Sequence, residues 1–158
     1  MSIAYVGIDP GKTGAIAFVC YHGQDSLTLV HDVPLVNGDY NFYEMWKLLG
    51  NLIQQHAATY LTLEKQQAMP KQGVSSTFST GRGYGAWEAL CWITTPDFEI
   101  VSPRKWKKKL GLTSDKEQSR ELAIKLYPSM KDMLARKRDH NRAEALLLAH
   151  YTKLERGN

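Results

Sequence analysis

The sequence predicts an α/β domain in which a mixed five-stranded sheet is flanked by helices, and three observations carry that expectation. Apolar, β-rich runs at 3–8, 15–20 and 27–33 follow one another across breaks rich in Gly and Asp, the pattern of an antiparallel meander. Two further strand patterns, at 60–64 and 98–101, each follow a helical stretch rather than a hairpin turn. The last third of the chain is helical in period and ends in the apolar run AEALLLAHY.

Taken in order, residues 3–8 are apolar up to Asp9, where Pro10-Gly11 breaks the strand. The second and third runs read AIAFVC and LTLVHDV. The period then changes: Phe42, Met45, Trp46, Leu49, Leu52, Ile53 and His56 share one face of a helix over 42–56. YLTLE at 60–64 is the fourth strand. The stretch 74–93 carries glycines at 81, 83 and 85 and becomes a better helix around Trp87, Leu90 and Cys91. After the fifth strand, Ser102-Pro103 supplies a capping residue and a first-turn proline. Ser114 with Glu117 reads as a capping box opening a helix over 115–126, which Tyr127-Pro128 ends. The final helix spans about 139–154.

A chain of 158 residues fits one domain with a real core. Hydrophobic content of 43% and charged content of 23% exclude a chain dominated by disorder. The net charge of +4 leans toward a polyanionic partner, and the run from Arg104 to Lys109 concentrates it. Cys20 and Cys91 form no metal-ligand spacing and sit in apolar runs, so they are expected reduced in the core of a cytoplasmic protein. No apolar run reaches the roughly 20 residues of a membrane span, and no signal peptide is expected.

The chemistry lies in the acids. Asp9 and Glu64 each close an apolar strand, and two such strands side by side bring both carboxylates to one place. Like charges so close are costly unless a cation or a proton lies between them. Glu144 breaks an apolar helix, with Asn141 and His140 on its face at i−3 and i−4. Asp139 is about 140° away on an ideal helical wheel, but as an N-cap it could turn back to the same site. Each acid alone reads more readily as an ordinary turn, capping or surface carboxylate; together they point to an oxygen-ligated divalent ion. Two Mg²⁺ or Mn²⁺ ions on such a set suit phosphodiester hydrolysis, with no organic cofactor.

These residues resemble a known family. Gly7-Ile8-Asp9-Pro10-Gly11 with Thr13-Gly14 is similar to the opening of RuvC, the bacterial Holliday-junction resolvase. Leu63-Glu64-Lys65-Gln66, followed by Met69, resembles its second acidic motif. Val101-Ser102-Pro103 with Lys107, Gly111 and Lys116 resembles its basic helix and the turn beyond, and 139–149 its terminal acidic helix. KQGVSSTF and RAEALLLA look closest to the phage and organellar branch. The resemblance implies an RNase H-like fold and a homodimer that cuts four-way DNA junctions symmetrically, leaving 5′-phosphates. It implies Asp9, Glu64 and Glu144 as catalytic metal ligands. The family's third acid falls on Asn141, so Asp139 or His140 takes its place, with Asp139 favoured because it carries charge.

DNA contacts are expected from Lys71, Gln72, Ser75 and Arg82, with Phe78 stacking on a base, and from Arg104, Lys105, Lys107 and Lys108. Phe78 reads equally well as a core residue, and Trp106 is expected as a core anchor. Phe42, Trp46, Leu49 and Ile53 are candidates for a dimer face and equally for packing on the sheet. A nucleotide-binding reading of Asp9-Pro10-Gly11-Lys12-Thr13-Gly14 would need a second domain, for which 158 residues leave no room. Other branched DNA, such as flaps and forks, suits the same chemistry, and an inert DNA-binding scaffold would not need the acids.

Overall fold

In the computed structural model, which describes residues 2–95 and 97–157, β1 (Ser2–Asp9), β2 (Ala15–His22) and β3 (Asp25–Asp32) form the expected meander. A short hairpin, β4 (Leu35–Val36) and β5 (Asp39–Tyr40), leads to α1 (Phe42–Gln54). The chain continues through β6 (Ala58–Glu64), α2 (Val74–Thr94), β7 (Phe98–Val101) and α3 (Pro103–Lys109). It closes with α4 (Lys116–Leu126) and α5 (His140–Arg156). The sheet order is β3-β2-β1-β6-β7. The pairs β1–β2 and β2–β3 are antiparallel, whereas β1–β6 and β6–β7 are parallel. The parallel pairs need crossovers, which α1 and α2 supply.

Side-chain alternation along the strands divides the core. Ala4, Val6 and Ile8 of β1, with Leu61 and Leu63 of β6, pack with Met45, Leu49, Trp87 and Cys91 of α1 and α2. Tyr5 and the alternate residues Ala15, Ala17 and Val19 of β2 pack on the other face, against α5, Trp106 and Ala123. Burial on both faces is why β1 and β2 read as continuous apolar runs rather than as alternating ones. Both cysteines are free and buried, as expected.

The structure corrects one local expectation, decides another and adds elements the sequence did not show. The N-cap of α4 is Asp115, which accepts from the Glu117 N–H, and not Ser114. Of the two readings held for the α1 face, Leu49 takes the sheet-packing one, being fully buried, while Phe42, Tyr43 and Trp46 are exposed. The β4–β5 hairpin was not expected: its two-residue strands are too short to show a period, and its turn at Asn37 and Gly38 takes positive φ. Three 3₁₀ turns between Pro128 and Asp139 likewise fill a stretch that carries no helical period.

Candidate active site

The period of two carries the site. Tyr5, Gly7 and Asp9 point to the α5 side of the sheet, as do Tyr60, Thr62 and Glu64. Tyr5 stacks on Tyr60 with ring centroids 5.8 Å apart, which fixes the first pair. Gly7 lies opposite Thr62, and Ile8 opposite Leu63 in the parallel ladder, so Asp9 and Glu64 are the next neighbours at the strand ends. The ladder to β7 runs through Glu64, whose partner is Val101. Both carboxylates therefore sit on paired backbone rather than on a loop.

Glu144 comes from α5, which lies unusually close to β1. A Cβ on Gly7 would fall inside contact distance of the Ala145 carbonyl oxygen and the Ala149 nitrogen. Only glycine allows that approach. Further along the helix, the Thr152 Oγ1 lies 2.8 Å from the Thr62 Oγ1 and 3.2 Å from the Val6 carbonyl oxygen. The helix thus runs antiparallel to β1, and its first turns pass the strand end that carries Asp9. The turn after β1 is equally tight, since a Cβ on Gly14 would overlap the Asp9 carbonyl.

The short helix α3 adds two contacts that the sequence did not disclose. The Trp106 indole Nε1–H donates to Glu64 Oε2 at 2.7 Å. The Lys107 Nζ donates to Glu144 Oε1 at 2.7 Å, with both side chains largely shielded. Trp106 is the core anchor expected of it, fully buried, but its polar edge faces the acids. Lys107, expected at the DNA, reaches into the acidic centre and pairs with Glu144. The arrangement depends on the end of β7 pairing beside Glu64, which no local pattern reveals.

The acids are close enough for Asp9 to feel the charges of Glu64 and Glu144, and for Glu64 to feel that of Glu144. Burial, then the charges of Glu64 and Glu144, push the Asp9 carboxyl up to about 8, against the opposing pull of the Gly11 backbone N–H and of Lys107. Glu64 is also raised, first by burial and then by Glu144, while the Trp106 hydrogen bond and Lys107 pull it down. Among the described residues, no three His, Cys, Asp or Glu side chains close into a ready ligand cage. Glu64 is held by Trp106 and Glu144 by Lys107.

Asp139 does not join this centre. It is buried and forms the N-cap of α5, but its carboxylate accepts from the Arg136 backbone N–H at 2.8 Å and from the Arg136 guanidinium at 2.9 Å. Arg142 approaches it at 3.7 Å and pairs with Asp32. Arg136, first by hydrogen bonding, holds the Asp139 carboxyl below its ordinary range. The expectation that Asp139 turns toward the other acids is therefore not met. The spacing Arg136, Asp139, Arg142 was the available signal, since residues three apart pair along a helix. His140 contacts the Lys137 carbonyl at 3.0 Å and lines a cleft of about 760 Å³ with Lys12, Asp139 and Asn141.

The expected DNA contacts fall on two elements beside Glu64. A cleft of about 510 Å³ next to Glu64 is lined by Gln66, Gln72 and Thr80 on one side and by Ser102, Pro103 and Arg104 on the other. Lys71 and Ser75 are exposed, and Phe78 is 70% exposed, which removes the core reading for it. Arg82 pairs with Asp39 at 2.9 Å and Lys105 with Glu99 at 2.7 Å. Arg104 and Lys108 are exposed and form no ion pair among the described residues.

The donor set fits a hard divalent ion. Asp9, Glu64 and Glu144 lie close enough together that burial and their like charges raise the Asp9 carboxyl, with the Lys107 ammonium opposing. Oxygen donors on rigid elements suit Mg²⁺ or Mn²⁺. The Gln66 Oε1, beside the same strand end, is shielded and has no hydrogen-bond partner among the described residues.

Two solved structures of RuvC from Thermus thermophilus superpose on nearly the whole chain. One covers 99% of this chain and 97% of its own, with a TM-score of 0.60 at 17% identity. The other, in complex with a Holliday junction substrate, covers 99% and 96%, with a TM-score of 0.57 at 14% identity. The fold is that of RuvC. In sequence, the chain is 33% identical over 96 residues, 58% of its length, to the chloroplastic Holliday junction resolvase MOC1 of Chlamydomonas reinhardtii. That match spans 11% of the relative. No protein-family profile matches the chain. The RuvC fold accounts for the five-stranded sheet and its flanking helices, and with them for the strand ends that present Asp9 and Glu64. No helix among the described residues is long and apolar enough to cross a membrane.

Proposed function

We propose that this protein is a divalent-metal-dependent endodeoxyribonuclease that resolves four-way DNA junctions by paired, symmetric phosphodiester hydrolysis. The observation that carries the reading is the placing of Asp9, Glu64 and Glu144 on the α5 side of a RuvC fold, close enough for Asp9 to feel the charges of both glutamates. A Holliday junction is the substrate bound in one of the structures that share the fold, and MOC1 bears the name of the same activity.

Asp9, Glu64 and Glu144 would hold two Mg²⁺ or Mn²⁺ ions. Ions held there would supply positive charge to activate a water and to stabilise the leaving oxygen. The strand ends keep Asp9 and Glu64 in place, and α5 fixes Glu144 through its tight seat on Gly7. Lys107 offsets the charge of Glu144 and brings an ammonium close to where a scissile phosphate would sit. Lys71, Gln72, Ser75, Arg104, Lys105 and Lys108 bind the phosphate backbone on either side. The exposed pair of Arg82 with Asp39 is weak enough to exchange for a phosphate. Phe78, projecting from α2, stacks on a base at the open centre of the junction.

Paired cuts need two active sites, and a homodimer supplies them. The exposed Phe42, Tyr43 and Trp46 on α1 support that assembly, being apolar surface that a monomer leaves wet. Asp139 and His140 line the neighbouring cleft, where they would flank the DNA rather than hold the ions. The test is cleavage of a labelled four-way junction, a matched duplex and a flap, with and without Mg²⁺. Junction cleavage that requires the ion and Asp9 supports the reading. Equal cutting of flap and duplex would replace it with a general branched-DNA nuclease, and metal-independent cutting would end it.

A further inference from the structure

We infer that Trp106 is a positioning residue for Glu64, its indole N–H fixing the carboxylate that a divalent ion would use. This rests on the metal reading of Asp9, Glu64 and Glu144. The Nε1–H donates to Glu64 Oε2 at 2.7 Å, and no other hydrogen bond to that carboxylate is found among the described residues. The indole has one donor and no acceptor, so the contact uses its entire polar capacity.

The frame around the pair is rigid. Glu64 ends β6 opposite Val101, and the Lys65 N–H continues the ladder to the Val101 carbonyl at 2.8 Å. Ser102 caps α3 through the Lys105 N–H at 3.3 Å, and Pro103 follows in the first turn. Trp106 is therefore four residues past a fixed cap, with its ring at 0% exposure in the α5-side core. A side chain held on every side has no rotamer freedom to lose when it orients a neighbour. Lys107, the next residue, holds Glu144 in the same way, so a single short helix touches two of the three acids.

Burial alone does not demand this partner. Trp87 is equally buried on the opposite face of the sheet, and its Nε1 has no hydrogen-bond partner among the described residues. The two tryptophans thus differ in what the indole N–H touches, and Trp87→Phe is the matched control for Trp106→Phe. Both remove an N–H and a similar volume from the core, and one of them frees Glu64 to rotate.

The experiment is calorimetric titration of the full chain with Mn²⁺, without DNA. Trp106→Phe is expected to raise the dissociation constant about tenfold or more, the scale typical of a lost partner of a metal ligand. Trp87→Phe is expected to leave it unchanged. A second readout needs no change at Trp106. In ¹⁵N-labelled protein, the four indole resonances are assigned by eliminating Trp46, Trp87 and Trp92 in turn. The Trp106 resonance is expected to shift on Mg²⁺ addition, and that shift is expected to vanish in Glu64→Gln. If both phenylalanine variants bind Mn²⁺ as the parent does, or if the Trp106 resonance ignores Mg²⁺ while the parent binds it, the inference falls and the nuclease reading stands. If the parent binds neither ion, both fall together.

Discussion

Replacing Asp9 with asparagine should make the metal-free protein more stable at pH 8 while abolishing its activity. The magnitude follows from the crowding of carboxylates at the end of β1. Burial and the charges of Glu64 and Glu144 carry the Asp9 carboxyl from its ordinary value of 3.8 to about 8. In the unfolded chain the group titrates near its ordinary value. Below about pH 4 both states hold the proton, and the residue is neutral toward stability. Between about 4 and 8 the unfolded state gives up the proton and the folded state keeps it, so stability falls as pH rises; above about 8 the loss is complete. At about 1.4 kcal/mol per pKa unit, the bound is about 6 kcal/mol, and local relaxation should leave roughly 2–4 kcal/mol. Asparagine cannot ionise and avoids that loss, so its melting temperature at pH 8 should exceed the parent's by about 5–15 °C. Thermal unfolding in EDTA from pH 5 to 9 measures the gap, which should widen with pH and level off above 8. Adding Mg²⁺ should raise the parent more than the variant, because ion binding stabilises the state that holds it. A gap that is absent or constant across that range would refute the argument that buried like charges set the energetics of this site.

Three further outcomes test the supporting structure. Gly7→Ala drives a methyl group into the backbone of α5 at Ala145 and Ala149, and should cost about 2–4 kcal/mol, read as a lower denaturant midpoint with unchanged slope. Combined Arg104→Ala and Lys108→Ala should lower the salt dependence of junction binding by about 2 in log–log slope, with melting temperature unchanged, as expected of exposed phosphate contacts. Phe78→Ala should leave stability within about 0.5 kcal/mol, since the ring is 70% exposed, yet weaken junction binding by about 1–3 kcal/mol in a mobility-shift titration.

The sheet was legible because its signals are local. Continuous apolar runs named the strands, and Pro10-Gly11 and the end of YLTLE placed Asp9 and Glu64 at their tips. The neighbours of those acids were not legible, because they depend on which strand pairs with which. Trp106 and Lys107 meet Glu64 and Glu144 only because β7 pairs with β6 and α5 lies on β1. The placement of Asp139 failed for another reason. Its charge made it attractive as a ligand, but arginines three residues to either side compete for it, and local ion pairs form without any tertiary coincidence. Phe78 shows the limit of composition, since a phenylalanine in a Ser- and Thr-rich helix is equally at home in a core or on DNA. Its exposure, given by the docking of α2, removes the core reading.

The central claim, paired cleavage of a four-way junction, is tested most directly on a supercoiled plasmid that extrudes a cruciform. A single nick releases the supercoiling and destroys the cruciform, so a linear product requires both strands to be cut before the junction is lost. The account predicts Mg²⁺-dependent linear plasmid with 5′-phosphate ends from the first time points, and none from the Asp9→Asn protein. Nicked circles without linear product, or linear product that persists in Asp9→Asn, would contradict it.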